Sequence, residues 1–229
     1  KILKKKNIIK IKNSEKKINT LAPYKLVKTM RAGVLVLGPL LTKYGHAKIS
    51  LPGGCAIGSR PVDLHLFALK KLGAKIKIKD GYISAEAKKG LKGAVIKFPT
   101  VSVGATENAL LAAVKAKGTT ILKNCAIEPE IKDLIIFLKK LGSIIKLKGR
   151  KIIIKQNEIK NSKIVHNIIF DRIELGTYMI ASALVSKKNL TINKIDPKIV
   201  KSEIDILKKI GVQITKKKSS IIIKKSKKL

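Results

Sequence analysis

The chain has 229 residues and 45% of them are hydrophobic, which is enough to bury a core in one large or two small domains. Its formal net charge is +37, yet only four of the 51 basic residues are arginines and aromatic residues make up 3%, which disfavours a nucleic-acid interface built on base stacking. Apolar runs are too short to span a membrane and the two cysteines make no disulfide framework, so we expect a cytoplasmic protein.

The first predicted elements are a helix, a strand, a second helix and a hairpin of two strands. Pro61 is expected at the first position of the second helix and Gly73 just past its end, because proline and glycine are favoured at these places. Apolar and basic residues alternate before the turn at Asp80-Gly81, which is typical of a half-buried hairpin. The predicted bounds are 24–44 for the first helix, 47–51 for the strand after it, 61–72 for the second helix, and 75–78 and 82–85 for the two strands of the hairpin.

This order of elements recurs twice further along the chain. The segments that end at Gly142 and Gly211 are similar to the segment that ends at Gly73, and the three glycines follow one another at intervals of 69 residues. Pro129 and Pro197 precede the corresponding helices. Asp196 is the expected N-cap of the helix in the third copy. The other predicted bounds are 104–117, 119–122, 145–147 and 151–154 in the second copy, and 174–186, 190–193, 213–215 and 220–223 in the third. The pattern fits a generic α/β protein with duplicated motifs, or repeats around a pseudo-threefold axis. We favour the second interpretation because one copy cannot cover its own apolar face.

A glycine-rich segment over 52–63 carries one thiol, Cys55, five residues before Arg60 at the predicted start of a helix. Glycines let the backbone approach a ligand closely, and a helix N-terminus and an arginine both attract an anion. A cysteine beside such a cationic site ionises more readily than a free thiol. We therefore interpret the segment as a reactive site; the alternative is that Cys55 is a small apolar residue in a turn.

Four segments of the chain resemble the enolpyruvyl transferase family: 22–32, 51–64, 101–108 and 171–177. The most specific feature is Pro-Gly-Gly-Cys followed by Arg-Pro-Val-Asp-Leu in the second segment. The resemblance implies an α/β (α+β) fold, an inside-out barrel of repeated βαβαββ units with helices inside and sheets outside, present here as an incomplete chain. It assigns residues 1–169 to most of a catalytic lobe that lacks its first unit, and residues 170–229 to the first unit of a second lobe.

The resemblance also implies an activity, the transfer of the enolpyruvyl group of phosphoenolpyruvate to the 3-hydroxyl of UDP-N-acetylglucosamine in peptidoglycan precursor synthesis, with release of phosphate. These two small molecules are the expected partners. Since the sequence has no P-loop, dinucleotide fingerprint or Cys/His metal cluster, no cofactor and no metal are expected. The family's Lys-Asn pair, base aspartate and distal arginine have no counterpart here, so the chain alone is expected to show no turnover. The alternatives are a basic nucleic-acid-associated protein and an inactive remnant on the same repeat fold.

By resemblance, Cys55 is the proton donor and forms a covalent adduct with phosphoenolpyruvate. Arg31 and Arg60 contact the substrates, because a guanidinium binds phosphate or carboxylate through two parallel hydrogen bonds; exposed salt bridges are their alternative role. Two segments are expected to hold the nucleotide: Pro61, Val62, Asp63 and Leu64 in the first, and Thr100, Val101, Ser102 and Val103 in the second.

Some of these residues have a second interpretation that needs no ligand. The carboxylate of Asp63 is expected to accept from the uracil N–H, with helix capping as the alternative, and Ser102 is otherwise an ordinary N-cap. Cys125 is interpreted as structural. Surface or packing roles are expected for the three histidines, His46, His65 and His166, and the segment 171–174 is interpreted as positioning and hinge support at the lobe junction.

Overall fold

The computed structural model describes residues 2–5, 7–12, 18–28, 30–52, 61–158 and 163–224. The chain forms two compact units, Lys1–Ile164 and Val165–Leu229. The sequence places the boundary slightly later, between residues 169 and 170, and the assignment of the two units to two lobes stays a prediction.

The first unit contains an antiparallel hairpin and two copies of the repeat. The hairpin consists of β1 (Ile2–Lys5) and β2 (Ile8–Ile11). The first copy contains β3 (Leu21–Ala22), α1 (Tyr24–Val27), a 3₁₀ helix (Arg31–Val36), α2 (Leu37–Tyr44), β4 (His46–Ser50), α3 (Asp63–Lys71), β5 (Lys75–Lys79) and β6 (Tyr82–Glu86). The second copy contains β7 (Val95–Lys97), α4 (Val103–Ala113), β8 (Thr119–Lys123), α5 (Pro129–Lys140), β9 (Ile144–Lys148) and β10 (Lys151–Lys155).

The second unit contains the third copy of the repeat. Its elements are α6 (Arg172–Val185), β11 (Leu190–Asn193), α7 (Lys201–Lys209), β12 (Ile214–Lys216) and β13 (Ser220–Ile223). The predicted order of helix, strand, helix and hairpin is therefore confirmed in all three copies, with strand bounds that differ from the prediction by at most one residue. None of the described helices combines the length and apolar character that crossing a membrane requires.

Strand pairing in the described sheets stays within one copy of the repeat. The sheet orders are β3-β4-β6-β5, β7-β8-β10-β9 and β11-β13-β12, so the described residues form open sheets and no closed barrel. In the first two sheets the first strand pairs parallel with the second strand, and the remaining pairs are antiparallel. These are the βαβαββ units of the expected fold.

The helices of the first unit lie inside and the sheets cover them. α4 contacts α2, α3 and α5, and its buried apolar residues are Ala105, Ala109, Leu110, Ala112 and Ala113. The sheets contribute one buried face, with Ile49, Ile83 and Ile152 fully inaccessible. Their other face is exposed and basic, as on β5, where Lys75, Lys77 and Lys79 alternate with isoleucines. Period-two alternation thus places Ile49, Ile83 and Ile152 on the buried face of their sheets and the lysines of β5 on the exposed face.

The predicted continuous helix over 24–44 is wrong, because the chain forms α1, the 3₁₀ helix and α2 instead. Met30 adopts an extended conformation (φ −127°, ψ 96°) just before the 3₁₀ helix. The chain then packs back on α1, where a Cβ on Gly33 would lie 3.0 Å from Cγ1 of Val27. This tertiary contact requires a break that the apolar periodicity does not reveal.

Two of the predicted helix starts are also wrong. Pro61 precedes α3 by two residues, and Val62 is the N-cap. Asp196 accepts the backbone N–H of Lys198 at 3.0 Å and so caps a turn that comes before α7, not the helix itself. Pro129 does occupy the first position of α5, as proline and glycine punctuation predicts.

The helices α2 and α4 come into close contact at Gly38. A Cβ on Gly38 would lie 2.5 Å from Oδ1 of Asn108 and 2.7 Å from its main-chain oxygen. One turn further, the hydroxyl of Thr42 donates to the main-chain oxygen of Ala112 at 3.1 Å. The packing of these two helices therefore requires a residue without a side chain at position 38.

Candidate functional site

A pocket of about 580 Å³ lies in the first unit where three segments of the chain meet. The 3₁₀ helix, the start of α3 and the start of α4 each contribute part of its wall. Its lining residues are Ala32, Val34, Leu35, Pro61, Asp63, Leu64, His65, Val101, Ser102, Gly104 and Glu107. The pocket is thus formed by parts of two repeats that are far apart in the sequence.

The pocket brings together residues of both predicted nucleotide segments. Pro61, Asp63 and Leu64 of the first segment line it, as do Val101 and Ser102 of the second. The other three predicted residues are placed elsewhere: Val62 and Val103 pack against the hydrophobic core, and Thr100 is exposed outside the lining.

Of the three residues predicted for the reacting centre, Cys55, Arg31 and Arg60, the structure describes the position of Arg31 alone. Cys55 and Arg60 fall in 53–60, outside the described residues. Arg31 is the first residue of the 3₁₀ helix. Its chain neighbour Ala32 lines the pocket, and so does Pro61, the chain neighbour of Arg60. The role of the two arginines in binding substrate therefore stays a prediction.

Two helix starts face the pocket, and their capping differs. On α3, Val62 is the N-cap and Asp63 is an acidic residue of the first turn, where a carboxylate also favours the helix dipole, so both interpretations of Asp63 stay predictions. Its exposed carboxylate lies at the pocket. On α4 the alternative is confirmed: Ser102 is the N-cap, and its Oγ accepts from the N–H of Ala105 at 3.3 Å. The start of α4 remains a favourable place for an anion.

Sequence reasoning missed four residues at this site: His65, Gly104, Glu107 and Asn108. Asn108 is fully buried, and its amide nitrogen lies 3.2 Å from Nδ1 of His65 and donates to the main-chain oxygen of Val34 at 3.1 Å. A signal was available, since the segment 101–108 ends in Thr-Glu-Asn just before a run of alanine and leucine. Polar residues inside so apolar a helix indicate partners elsewhere in the fold.

Glu107 lines the pocket with a carboxyl group whose pKa is raised above its usual 4.5, first by burial and then by the nearby charge of Glu130. The folded chain therefore keeps this proton to a higher pH than the unfolded chain does. At a pH between the pKa of Glu107 in the unfolded chain and its raised pKa in the folded chain, unfolding releases this proton. The free energy of unfolding therefore falls as the pH rises through that range.

We expect Glu107→Gln to remove this dependence. As the pH rises above the usual pKa of 4.5, the free energy of unfolding of the variant, measured by denaturant titration, should rise relative to that of the parent protein. Glu130→Gln should shrink the effect without removing it, because burial is the larger cause. If parent and Glu107→Gln follow parallel pH curves, the raised pKa of Glu107 is contradicted.

Cys125 is fully buried at the end of β8, and its structural interpretation fits this placement. Burial raises the pKa of its thiol to about 11, although the backbone hydrogen bond with Ile152 and the charge of Arg150 act in the opposite direction. Such a thiol is inert near neutral pH. Among the described residues, no group of three or more His, Cys, Asp or Glu residues could hold a metal ion.

Comparison with known proteins gives a consistent result. The family model described as EPSP synthase (3-phosphoshikimate 1-carboxyvinyltransferase) matches residues 1–229.

Two relatives named UDP-N-acetylglucosamine 1-carboxyvinyltransferase are similar over most of the chain. The protein from Pelagibacter ubique is 58% identical over 225 residues, which cover 98% of this chain and 53% of the relative. The protein from Endomicrobium trichonymphae is 50% identical over 221 residues, which cover 96% and 52%. The chain thus spans about half the length of these relatives.

Solved structures share the fold at lower sequence identity. The enolpyruvyl transferase NikO from Streptomyces tendae superposes with a TM-score of 0.77 at 21% identity, covering 92% of this chain and 50% of that one. EPSP synthase from Acinetobacter baumannii superposes with a TM-score of 0.64 at 20% identity, covering 87% and 47%.

Proposed function

Because the chain belongs to the EPSP synthase (3-phosphoshikimate 1-carboxyvinyltransferase) family, we propose that it is part of an enzyme that transfers the enolpyruvyl group of phosphoenolpyruvate to the 3-hydroxyl of UDP-N-acetylglucosamine. The relatives that are 58% and 50% identical carry the name of this activity. The product would be a precursor of peptidoglycan. Nothing in the structure or the comparisons favours the nucleic-acid-associated alternative.

The observation that carries this proposal is the convergence of two predicted nucleotide segments on one pocket. Asp63 and Leu64 begin α3, while Val101 and Ser102 precede α4, and all four line the same cavity of about 580 Å³. The carboxylate of Asp63 accepts the uracil N–H, a group that a charged oxygen binds more tightly than a neutral one. The N-terminus of α4 faces the diphosphate, where its N–H groups and its dipole favour negative charge.

Arg31 and Arg60 supply the positive charge for the second substrate. Each is the chain neighbour of a residue that lines the pocket, Ala32 in one case and Pro61 in the other. A guanidinium can bind the phosphate or the carboxylate of phosphoenolpyruvate through two parallel hydrogen bonds, which also fixes the orientation of the molecule.

The reaction then needs one proton and one nucleophile. Cys55 donates its proton to the methylene carbon of phosphoenolpyruvate while the sugar 3-hydroxyl attacks the adjacent carbon and gives up its own proton. The resulting tetrahedral intermediate loses phosphate as its carbon–oxygen bond breaks, and the new methyl group returns one proton to the Cys55 thiolate as the enol ether forms. Stabilising the anionic groups through these steps is the role of the arginines.

The family includes a second kind of acceptor, shikimate 3-phosphate, and this chain offers features that favour the nucleotide sugar. The Pro-Gly-Gly-Cys segment before Arg60 is the feature that separates the two kinds of enzyme by resemblance. In addition, the pocket wall is largely apolar around Asp63, with Val34, Leu35 and Leu64 in its lining, which suits the face of a uracil ring.

Asp63→Asn tests this assignment directly. In the full-length gene product, calorimetric titration should show UDP-N-acetylglucosamine binding that weakens about tenfold to 100-fold in the variant, since a hydrogen bond to a charged acceptor is lost. Asp80→Asn is the matched control because Asp80 lies in the exposed β5–β6 turn, where its positive φ of 51° suits asparagine equally well. Binding of shikimate 3-phosphate in place of the nucleotide sugar would contradict the proposal.

A further inference from the structure

The buried amide of Asn108 connects α4 to three other segments of the first unit. Its Oδ1 accepts the N–H of Gly38 at 2.9 Å, and its Nδ2 donates to the main-chain oxygen of Val34 at 3.1 Å. The same nitrogen lies 3.2 Å from Nδ1 of His65 on α3. Asn108 is fully inaccessible to solvent, so these contacts have no competition from water.

The partners of this amide determine its orientation and the protonation of the histidine. A backbone N–H can only donate and a backbone oxygen can only accept, so Oδ1 must face Gly38 and Nδ2 must face Val34. The second hydrogen of Nδ2 then points to His65. Since an amide NH₂ group only donates, Nδ1 of His65 must accept, and the proton of the neutral ring is on Nε2.

The residues that Asn108 holds are themselves part of the pocket wall. His65 and Val34 line the pocket together with Gly104. The far edge of the imidazole lies against Gly104, where an added Cβ would be 3.0 Å from Cε1 and 3.3 Å from Nε2 of His65. Because the 3₁₀ helix begins at Arg31, the Asn108–Val34 hydrogen bond also holds the segment that carries this arginine.

We propose that Asn108 is a positioning residue of the pocket, which holds the imidazole of His65 as the Nε2–H tautomer and ties the 3₁₀ helix to α4, so that both walls are fixed before a nucleotide binds. The identity of the ligand rests on the proposed function above. Asn108 itself touches no substrate in this proposal; it acts through His65 and Val34.

Nitrogen NMR of the imidazole tests the first part without any ligand. In the ¹⁵N-labelled full-length gene product, His65 should show an unprotonated Nδ1 and a protonated Nε2. Asn108→Asp keeps the size of the side chain and the acceptor for Gly38, but its new carboxylate can only accept a hydrogen bond, so Nδ1 of His65 should become protonated and donate to it. A parent protein with the proton already on Nδ1 would overturn the proposal.

Binding of UDP tests the second part. We expect Asn108→Asp to weaken UDP binding about tenfold, by loss of a positioning hydrogen bond, while circular dichroism stays that of the parent. Asn124→Asp is the matched control, because Nδ2 of Asn124 also donates to a backbone oxygen, that of Phe98 at 2.9 Å, and Asn124 is outside the pocket lining. Equal loss of UDP binding in both variants would mean a general effect on stability and would overturn the proposal.

Gly104→Ala gives an independent test if Asn108→Asp fails to fold. The added methyl group displaces the His65 ring from the opposite side, and we expect the same tenfold weakening of UDP binding with the Nε2–H tautomer retained. Unchanged UDP binding in this variant would overturn the proposal. A parent protein that binds no UDP would overturn the proposed function, whereas the tautomer of His65 would still decide whether Asn108 positions the ring.

Discussion

Replacing Cys55 with alanine should lower the turnover number of the full-length gene product by about 100-fold or more, with UDP-N-acetylglucosamine binding retained. The reason is that protonation of the methylene carbon of phosphoenolpyruvate needs a positioned acid, and a methyl group cannot supply one. Steady-state release of phosphate measures the loss. A variant that keeps parental activity would show that Cys55 is not the proton donor.

Labelling by fosfomycin, an epoxide that we expect to alkylate Cys55 because of the resemblance of its segment, provides the matched control. The chain has two cysteines, and burial raises the pKa of Cys125 to about 11, so its thiol stays protonated and unreactive near pH 8. Intact mass should therefore show one adduct in the parent and in Cys125→Ala, and none in Cys55→Ala. An adduct on Cys125, or none on Cys55 where a relative reacts, would contradict the assignment.

Gly38→Ala should lower the free energy of unfolding by about 3 kcal/mol, as expected for a methyl group forced into a packed core. Its Cβ would lie 2.5 Å from Oδ1 and 2.7 Å from the main-chain oxygen of Asn108. Neither atom can retreat easily, since one accepts the N–H of Gly38 and the other belongs to the backbone of α4. Pro39 adds a restriction, because any residue with a Cβ is disfavoured in helical conformation before proline. Urea titration measures the change.

The matched control is Gly176→Ala, the same substitution inside another helix. The nearest atom to a Cβ on Gly176 is Cγ of Glu203 at 3.8 Å, an ordinary contact. Alanine is the better helix former, so this variant should be stabilised by about 0.5–1 kcal/mol. If both variants shift stability in the same direction, close packing at Gly38 is not the cause.

The repeat was predictable because its signals are local. Gly73, Gly142 and Gly211 all adopt positive φ, at 94°, 100° and 95°, which is the conformation that favours glycine after a helix. The alternating strands next to them depend only on neighbouring residues. The break at Met30 was not predictable in this way, because its reason is a contact between the 3₁₀ helix and α1.

The candidate site shows the same division between local and distant signals. Asp63 and Ser102 could be named in advance because their segments resemble a family, and both line the pocket. Asn108 could not, since its partners Val34, Gly38 and His65 are 74, 70 and 43 residues away in the sequence. A single sequence does not reveal which polar groups, far apart along the chain, will form hydrogen bonds with one buried amide side chain.

The confinement of each sheet to one repeat has a consequence for the order of folding. The strands β3 to β6 span fewer than 70 residues, and so do β7 to β10, so each ladder can close from contacts that are short in sequence. The hydrogen bonds that Asn108 and Thr42 make between α4 and the first repeat link residues about 70 positions apart and form without any shared strand. The first repeat can therefore complete its sheet while the second is still being synthesised, and the two halves of the pocket come together as the helices dock.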